Sequence, residues 1–254
     1  MDRTKSIAVT GKGGTGKTMF ATLMIKILSE SAKGKILAID ADSAMSLPYT
    51  LGVSVEKTVS EMRKGIMGAG QMRKKMESGS MREFMRNAIS PGEGFDLLAM
   101  GRPEEPGCFC AVNELLRYGI DTVIDDYDIT IIDGEAGPEQ LNRRVLKNID
   151  ILLVVADMSA RSLETAGGII KVAQDGENGI QVKRAGLILN RVRGDRPSEE
   201  MLEKIGLEVW GSIPEDDTIN EYDRSGKPLL EIPADSPCQL AVRKVLEQIV
   251  PDMV

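Results

Sequence analysis

The sequence predicts an α/β fold: a doubly wound, mostly parallel sheet with helices on both faces, in a single domain over residues 1–254. Three observations predict it. Short apolar runs recur along the chain, separated by segments with helical spacing, the alternation that builds a parallel sheet from strand–helix units. The runs are apolar almost throughout, as strands are when both faces of their sheet are covered. Several end in aspartate or asparagine, which places polar side chains beyond the strand C-termini, where such sheets hold ligands.

Taken in order, residues 5–10 read as the first strand, and residues 17–28 carry apolar side chains at helical spacing. Residues 35–40, 95–100, 127–133, 150–155, 185–190 and 208–213 continue the series of strands. Residues 54–90 stand apart as a Met-rich helical insertion, longer than a simple crossover. Within it Met62, Met67, Met72, Met76, Met81 and Met85 recur among Arg63, Lys64, Arg73, Lys74, Lys75, Arg82 and Arg86. Two readings stand for this insertion. Its methionines pack surface helices on the domain, or they form an adaptable partner surface whose basic residues steer an acidic client.

A chain of 254 residues has room for a full core without a second domain. Its net charge of -7 supplies no broad basic excess to neutralise nucleic-acid phosphates, so no nucleic-acid partner is expected. There is no run of roughly 18 or more apolar residues and no signal-peptide pattern, so the expectation is a cytoplasmic protein without a membrane partner. Residues 239–250 are amphipathic, and packing on their own domain is favoured over membrane anchoring. Three cysteines and no histidine leave sulfur as the donor for any soft-metal site.

Between the first strand and the first helix lies Gly11-Lys12-Gly13-Gly14-Thr15-Gly16-Lys17-Thr18. It fits G-x-x-x-x-G-K-[ST], the loop whose backbone N–H groups cradle phosphates. The helix N-terminus adds partial positive charge. Lys17 reaches the β- and γ-phosphates, and the Thr18 hydroxyl is the Mg²⁺ ligand. Asp133 closes the apolar run 129–132 and fits the Walker B aspartate, which holds Mg²⁺ through water. ATP and Mg²⁺ are therefore the expected substrate and cofactor.

Lys12, with Gly13, Gly14, Gly16, Lys17 and Thr18, resembles the deviant Walker A loop of the family that holds MinD, ParA, the nitrogenase iron protein and the metal-insertion ATPases. That resemblance implies that Lys12 crosses a two-fold axis to the partner's nucleotide, so the active form is a homodimer. It also implies catalytic roles for Lys12, Lys17 and Asp42, with Asp42 of Asp40-Ala-Asp42 orienting the attacking water. The family usually has proline after this aspartate, where this chain has Ser43. Asp133-Gly-Glu-Ala-Gly137 looks like switch II, with Gly137 swinging toward the γ-phosphate. Asn190 matches the family's adenine-reading asparagine, whose amide accepts from N6 and donates to N7. Pro214, in Ile213-Pro-Glu-Asp216, matches the loop that flanks the base.

Cys108-Phe-Cys110 follows a Gly- and Pro-rich stretch and precedes a predicted helix over 111–118. Loop flexibility and a helix N-terminus both favour thiolate. The pair supplies two sulfur ligands, and thiolate sites for soft divalent metals usually want four. Two pairs facing each other across a dimer axis complete the set. With Glu139-Gln-Leu141 after switch II, these features resemble the CooC-type ATPases, nickel-insertion accessory proteins for carbon monoxide dehydrogenase. The resemblance implies Ni²⁺ or Zn²⁺ at Cys108 and Cys110 across a nucleotide-promoted dimer, and a client that is carbon monoxide dehydrogenase, acetyl-CoA synthase or a related nickel enzyme. Two alternatives remain: an iron–sulfur carrier or reductase, and a positioning ATPase of the MinD or ParA kind without a metal task. Cys238 reads as filler.

Overall fold

The computed structural model describes residues 5–64, 80–101, 121–137, 148–174, 181–194, 197 and 199–254. Among them the strands are β1 (Lys5–Gly11), β2 (Ile36–Asp40), β3 (Ile89–Pro91), β4 (Asp96–Ala99), β5 (Ile129–Asp133), β6 (Asn148–Ala156), β7 (Gln181–Val192) and β8 (Val209–Pro214). The helices are α1 (Lys17–Ser31), α2 (Ser46–Leu51), α3 (Val59–Lys64), α4 (Ser80–Arg86), α5 (Ala160–Gln174), α6 (Glu199–Ile205), α7 (Asp217–Ser225) and α8 (Pro237–Ile249). The strands form one sheet in the order β3-β4-β2-β5-β1-β6-β7-β8, parallel throughout except for the antiparallel β3–β4 edge.

Alternation along each strand divides the core in two. Ile7 and Val9 of β1 join Phe20, Leu23 and Ile27 of α1 and Val242 and Val245 of α8 on one face. Ala8 points to the other, with Val59, Met85, Leu163 and Ile169. The run Phe20 through Leu28 of α1 is buried on all sides, because α2 and α8 cover the side away from the sheet. The Thr22 and Thr50 hydroxyls meet at 2.6 Å across the α1–α2 contact. The amphipathic C-terminal helix thus packs on its own domain, sealing Cys238, Val242, Leu246 and Ile249 into the α1 core. Among the described residues no helix is long and apolar enough to cross a membrane.

Every predicted run becomes a strand, and the structure adds β3. This three-residue edge strand, Ile89–Pro91, straddles the end of the stretch 54–90 that the sequence reads as helical. Of that insertion, α3 and α4 are described, and residues 65–79 lie outside the described residues. Met85 is fully buried and Met62 packs partly buried against the same core, so these two methionines follow the packing reading.

The chain leaves β1 for β2 on one side and later takes up β6 on the other. That reversal opens a crevice beyond the C-terminal end of β1, the usual ligand position in an open parallel sheet.

Candidate functional site

The phosphate loop fills that crevice. Gly11 lies opposite Val155 in the β1–β6 ladder, and a Cβ there would fall 2.1 Å from the Val155 carbonyl oxygen. No side chain fits so close an approach. The Lys12 carbonyl closes the loop by accepting from the Thr15 N–H at 3.4 Å, the Thr15 Oγ1 at 2.9 Å and the Lys17 Nζ at 3.3 Å. Gly16 begins α1 with φ 91°, without a side-chain cap and with no acidic residue in the first turn. The first N–H groups of α1 are thus presented to an anion.

Asp40 and Asp133 end adjacent strands in register, β2 beside β5, and both are buried. Asp40 is satisfied: its carboxylate accepts from the Asp42 N–H at 2.9 Å and the Leu47 N–H at 3.2 Å. Burial is the main cause that pushes its pKa up, and the Asp133 charge adds to it. Burial also raises the pKa of Asp133, against the pull of the nearby Thr18 hydroxyl and the Lys17 ammonium. Neither Asp133 oxygen has a partner in good hydrogen-bond geometry. Burial lowers the pKa of Lys17, while Asp133, Asp42 and Glu135 counter that shift. Two orphaned carboxylate oxygens and a hydroxyl form a hard-oxygen donor set that fits Mg²⁺, and the ammonium beside them fits a phosphate chain.

Asp42 is half-buried in the loop after β2. Its Oδ1 accepts the Ala44 N–H at 2.9 Å, its carbonyl accepts the Met45 N–H at 3.1 Å, and Met45 then starts α2 with φ 55°. The turn is made without the proline usual in the family. The sequence reading gives Asp40 no role, although it is the brace that fixes this loop. Its signal is the same as that of Asp133, an aspartate closing an apolar strand. Gly137, at φ 89°, donates its N–H to the Gly11 carbonyl at 3.0 Å, docking the segment after β5 on the start of the phosphate loop.

Asn190 lies near the C-terminal end of β7, and Pro214 ends β8 opposite Val192. The Asn190 amide is 1% exposed, and its Nδ2 donates to the Thr15 carbonyl at 2.7 Å. Lys12, Gly13, Gly14, Thr15, Gly16, Lys17, Thr18, Asp42, Asp133 and Asn190 thus gather at the C-terminal ends of the strands. Cys108, Cys110 and Glu139-Gln-Leu141 lie outside the described residues. Among the described residues no group of three or more His, Cys, Asp or Glu side chains could hold a metal ion.

A strand, a glycine loop and an uncapped helix with a Lys-Thr pair, facing a buried aspartate on the next strand, define a P-loop nucleotide-binding ATPase. Residues 6–229 match the family model of the CobQ/CobB/MinD/ParA nucleotide binding domain, and the chain belongs to that family. It is 39% identical to an uncharacterized ATP-binding protein of Methanocaldococcus jannaschii, over 96% of this chain and 98% of the relative. It is 28% identical to the carbon monoxide dehydrogenase accessory protein CooC of Rhodospirillum rubrum, over 87% of each. The fold is shared with the septum site-determining protein MinD of Pyrococcus horikoshii complexed with Mg-ADP. That likeness has TM-score 0.71 and 23% identity, over 97% of this chain and 96% of the other.

Proposed function

We propose that this ATPase is a dimerising metallochaperone that carries Ni²⁺ or Zn²⁺ on Cys108 and Cys110 and supports nickel insertion into carbon monoxide dehydrogenase or acetyl-CoA synthase. The observation that carries it is the Cys-x-Cys pair, in a chain similar to CooC along most of its length. Lys17 and the α1 N-terminus bind the phosphate chain, and Thr18 and Asp133 are the residues that would hold Mg²⁺, which would supply charge neutralisation at the transferred phosphate. Asp42, braced by Asp40, holds the attacking water in line, and Lys12 of the second protomer stabilises the developing charge. Asn190 and Pro214 flank the adenine. ATP closes the dimer, the paired cysteines grip the cargo metal in a four-sulfur set, and hydrolysis releases it beside the client. Such coupling requires the closed and relaxed states to differ in metal affinity.

A second reading, a positioning switch of the MinD or ParA kind, has the fold likeness to MinD in its favour. Titrating the reduced, anaerobic protein with Ni²⁺, with and without ATP, separates the two when bound metal and native mass are read together. About one metal per two chains, lost in Cys108→Ser or Cys110→Ser, supports the chaperone. Absence of cysteine-dependent binding in every nucleotide state leaves the switch. Iron and a brown colour in the isolated protein would instead point to a cluster carrier.

A further inference from the structure

We propose that Asn190 is a positioning residue for the phosphate loop: its amide holds Thr15 and Gly16 in the shape that grips phosphate, whatever base is attached. This rests on nucleotide binding at the loop, which the chaperone and switch readings share, and not on any metal role.

The contact joins residues 175 positions apart and is fully buried. Because it is made to a carbonyl oxygen, the amide end that touches Thr15 must be the nitrogen. Thr15 itself is fully buried. Its N–H and hydroxyl turn inward to the Lys12 carbonyl, and its own carbonyl goes to Asn190. The loop is therefore closed on itself at one end of Thr15 and tied to β7 at the other. The same nitrogen lies against Gly16, where an added Cβ would fall 2.2 Å from it. Gly16 is the residue whose φ of 91° starts α1 and aims the first N–H groups of the helix. One amide thus fixes the carbonyl before that turn and packs against its Cα.

The β7 backbone is shaped to deliver this amide. Arg191, the next residue, has φ 54°, a left-handed conformation that side chains avoid. The β7–β8 register shifts between Leu189 and Val192. Irregularities of this kind re-aim a side chain at a strand end. The Asn190 Oδ1 is buried without a partner. The donor end is thus engaged by the loop, and the acceptor end is left for a ligand.

A residue that only read adenine would matter only to ligands carrying a base. Calorimetric affinities for MgATP and for Mg-tripolyphosphate, which has no base, test the difference in Asn190→Ala and Asn190→Asp. The aspartate variant keeps the size and an acceptor but cannot donate to the Thr15 carbonyl. The expected result is a loss of at least tenfold for tripolyphosphate in both variants, with a loss for MgATP that is at least as large. Near-UV circular dichroism confirms folding. Asp150→Asn, near the N-terminal end of β6 and away from the loop, serves as a control that lowers stability and keeps the wild-type tripolyphosphate affinity. Unchanged tripolyphosphate affinity in the Asn190 variants would overturn the proposal and make the residue a base reader or a bystander. A wild-type protein with no measurable tripolyphosphate affinity would overturn it as well, since the loop would then have no grip independent of the base.

Discussion

Cys238 is 2% exposed at the start of α8, and its Sγ donates to the Pro214 carbonyl at 3.3 Å. Burial foremost, then the Asp216 carboxylate, pushes its thiol up to about 12. Thiolate is the reactive and metal-binding form, so Cys238 is inert at neutral pH. The chain has three cysteines, and the Cys108→Ser/Cys110→Ser double variant therefore isolates this one. Mixed with Ellman's reagent at pH 8, that variant should show no fast thiol while folded and one thiol in denaturant. A fast reaction in the folded state would refute the burial argument and bring Cys238 into the count of possible metal ligands. At this scale, residues inside a local motif were legible from sequence. Lys17, Thr18, Asp42 and Asp133 lie where strand ends and motif spacing put them. The Thr15–Asn190 bond was not legible, because it joins two segments that only the folded sheet brings together.

Three neighbouring strands are stitched together at their N-terminal ends, away from the phosphate loop. Asp150 of β6 accepts the Ser6 N–H of β1 at 2.9 Å and its hydroxyl at 3.1 Å, and it pairs with Lys183 of β7 at 2.5 Å. Burial alone would raise the Asp150 pKa. The Lys183 and Ser6 contacts overcome that and hold it below the ordinary aspartate value of 3.8. A carboxyl group with a depressed folded pKa stabilises the protein above its unfolded pKa, and that stability is lost as pH falls through the folded value. Lys183 is largely exposed, so the contribution is modest, about 1 kcal/mol with the Ser6 bonds included. Urea unfolding should show Asp150→Asn less stable than wild type by that amount at pH 7, with the gap closing below pH 3.8. A gap that persisted in acid would assign the effect to packing. The elements also show where periodicity stops being informative. Strand β3 is three residues ending in proline at a sheet edge, too short for any apolar pattern. Strand β7 begins with Gln181, Lys183 and Arg184 exposed and Val182 alone packed on the core, too little for a pattern, so only its buried half is readable from hydrophobicity.

At the scale of the molecule, the question is whether one chain holds everything hydrolysis needs. Within the chain, Lys12 works through its backbone. Its carbonyl receives the Thr15 N–H, the Thr15 hydroxyl and the Lys17 ammonium, and these bonds shape the loop. None of them uses the Lys12 side chain, and alanine keeps the same carbonyl. Lys12→Ala should therefore leave MgATP affinity of the monomer within about threefold of wild type, since the side chain acts in its own chain through its charge on Asp157, and a surface substitution of this kind is worth about 0.5 kcal/mol. If the ammonium acts in the partner's site, turnover should nonetheless fall by about 10³-fold, the scale of a cation supplied in trans to a transferring phosphate. Calorimetry gives the affinity, phosphate release gives the rate, and light scattering with ATP gives the mass. Retained affinity with lost turnover separates binding, which one chain completes, from catalysis, which requires two. Full turnover in the variant would remove the shared active site, and with it the reason for two Cys108/Cys110 pairs to meet. Loss of affinity in step with rate would instead place the Lys12 ammonium on its own chain's nucleotide.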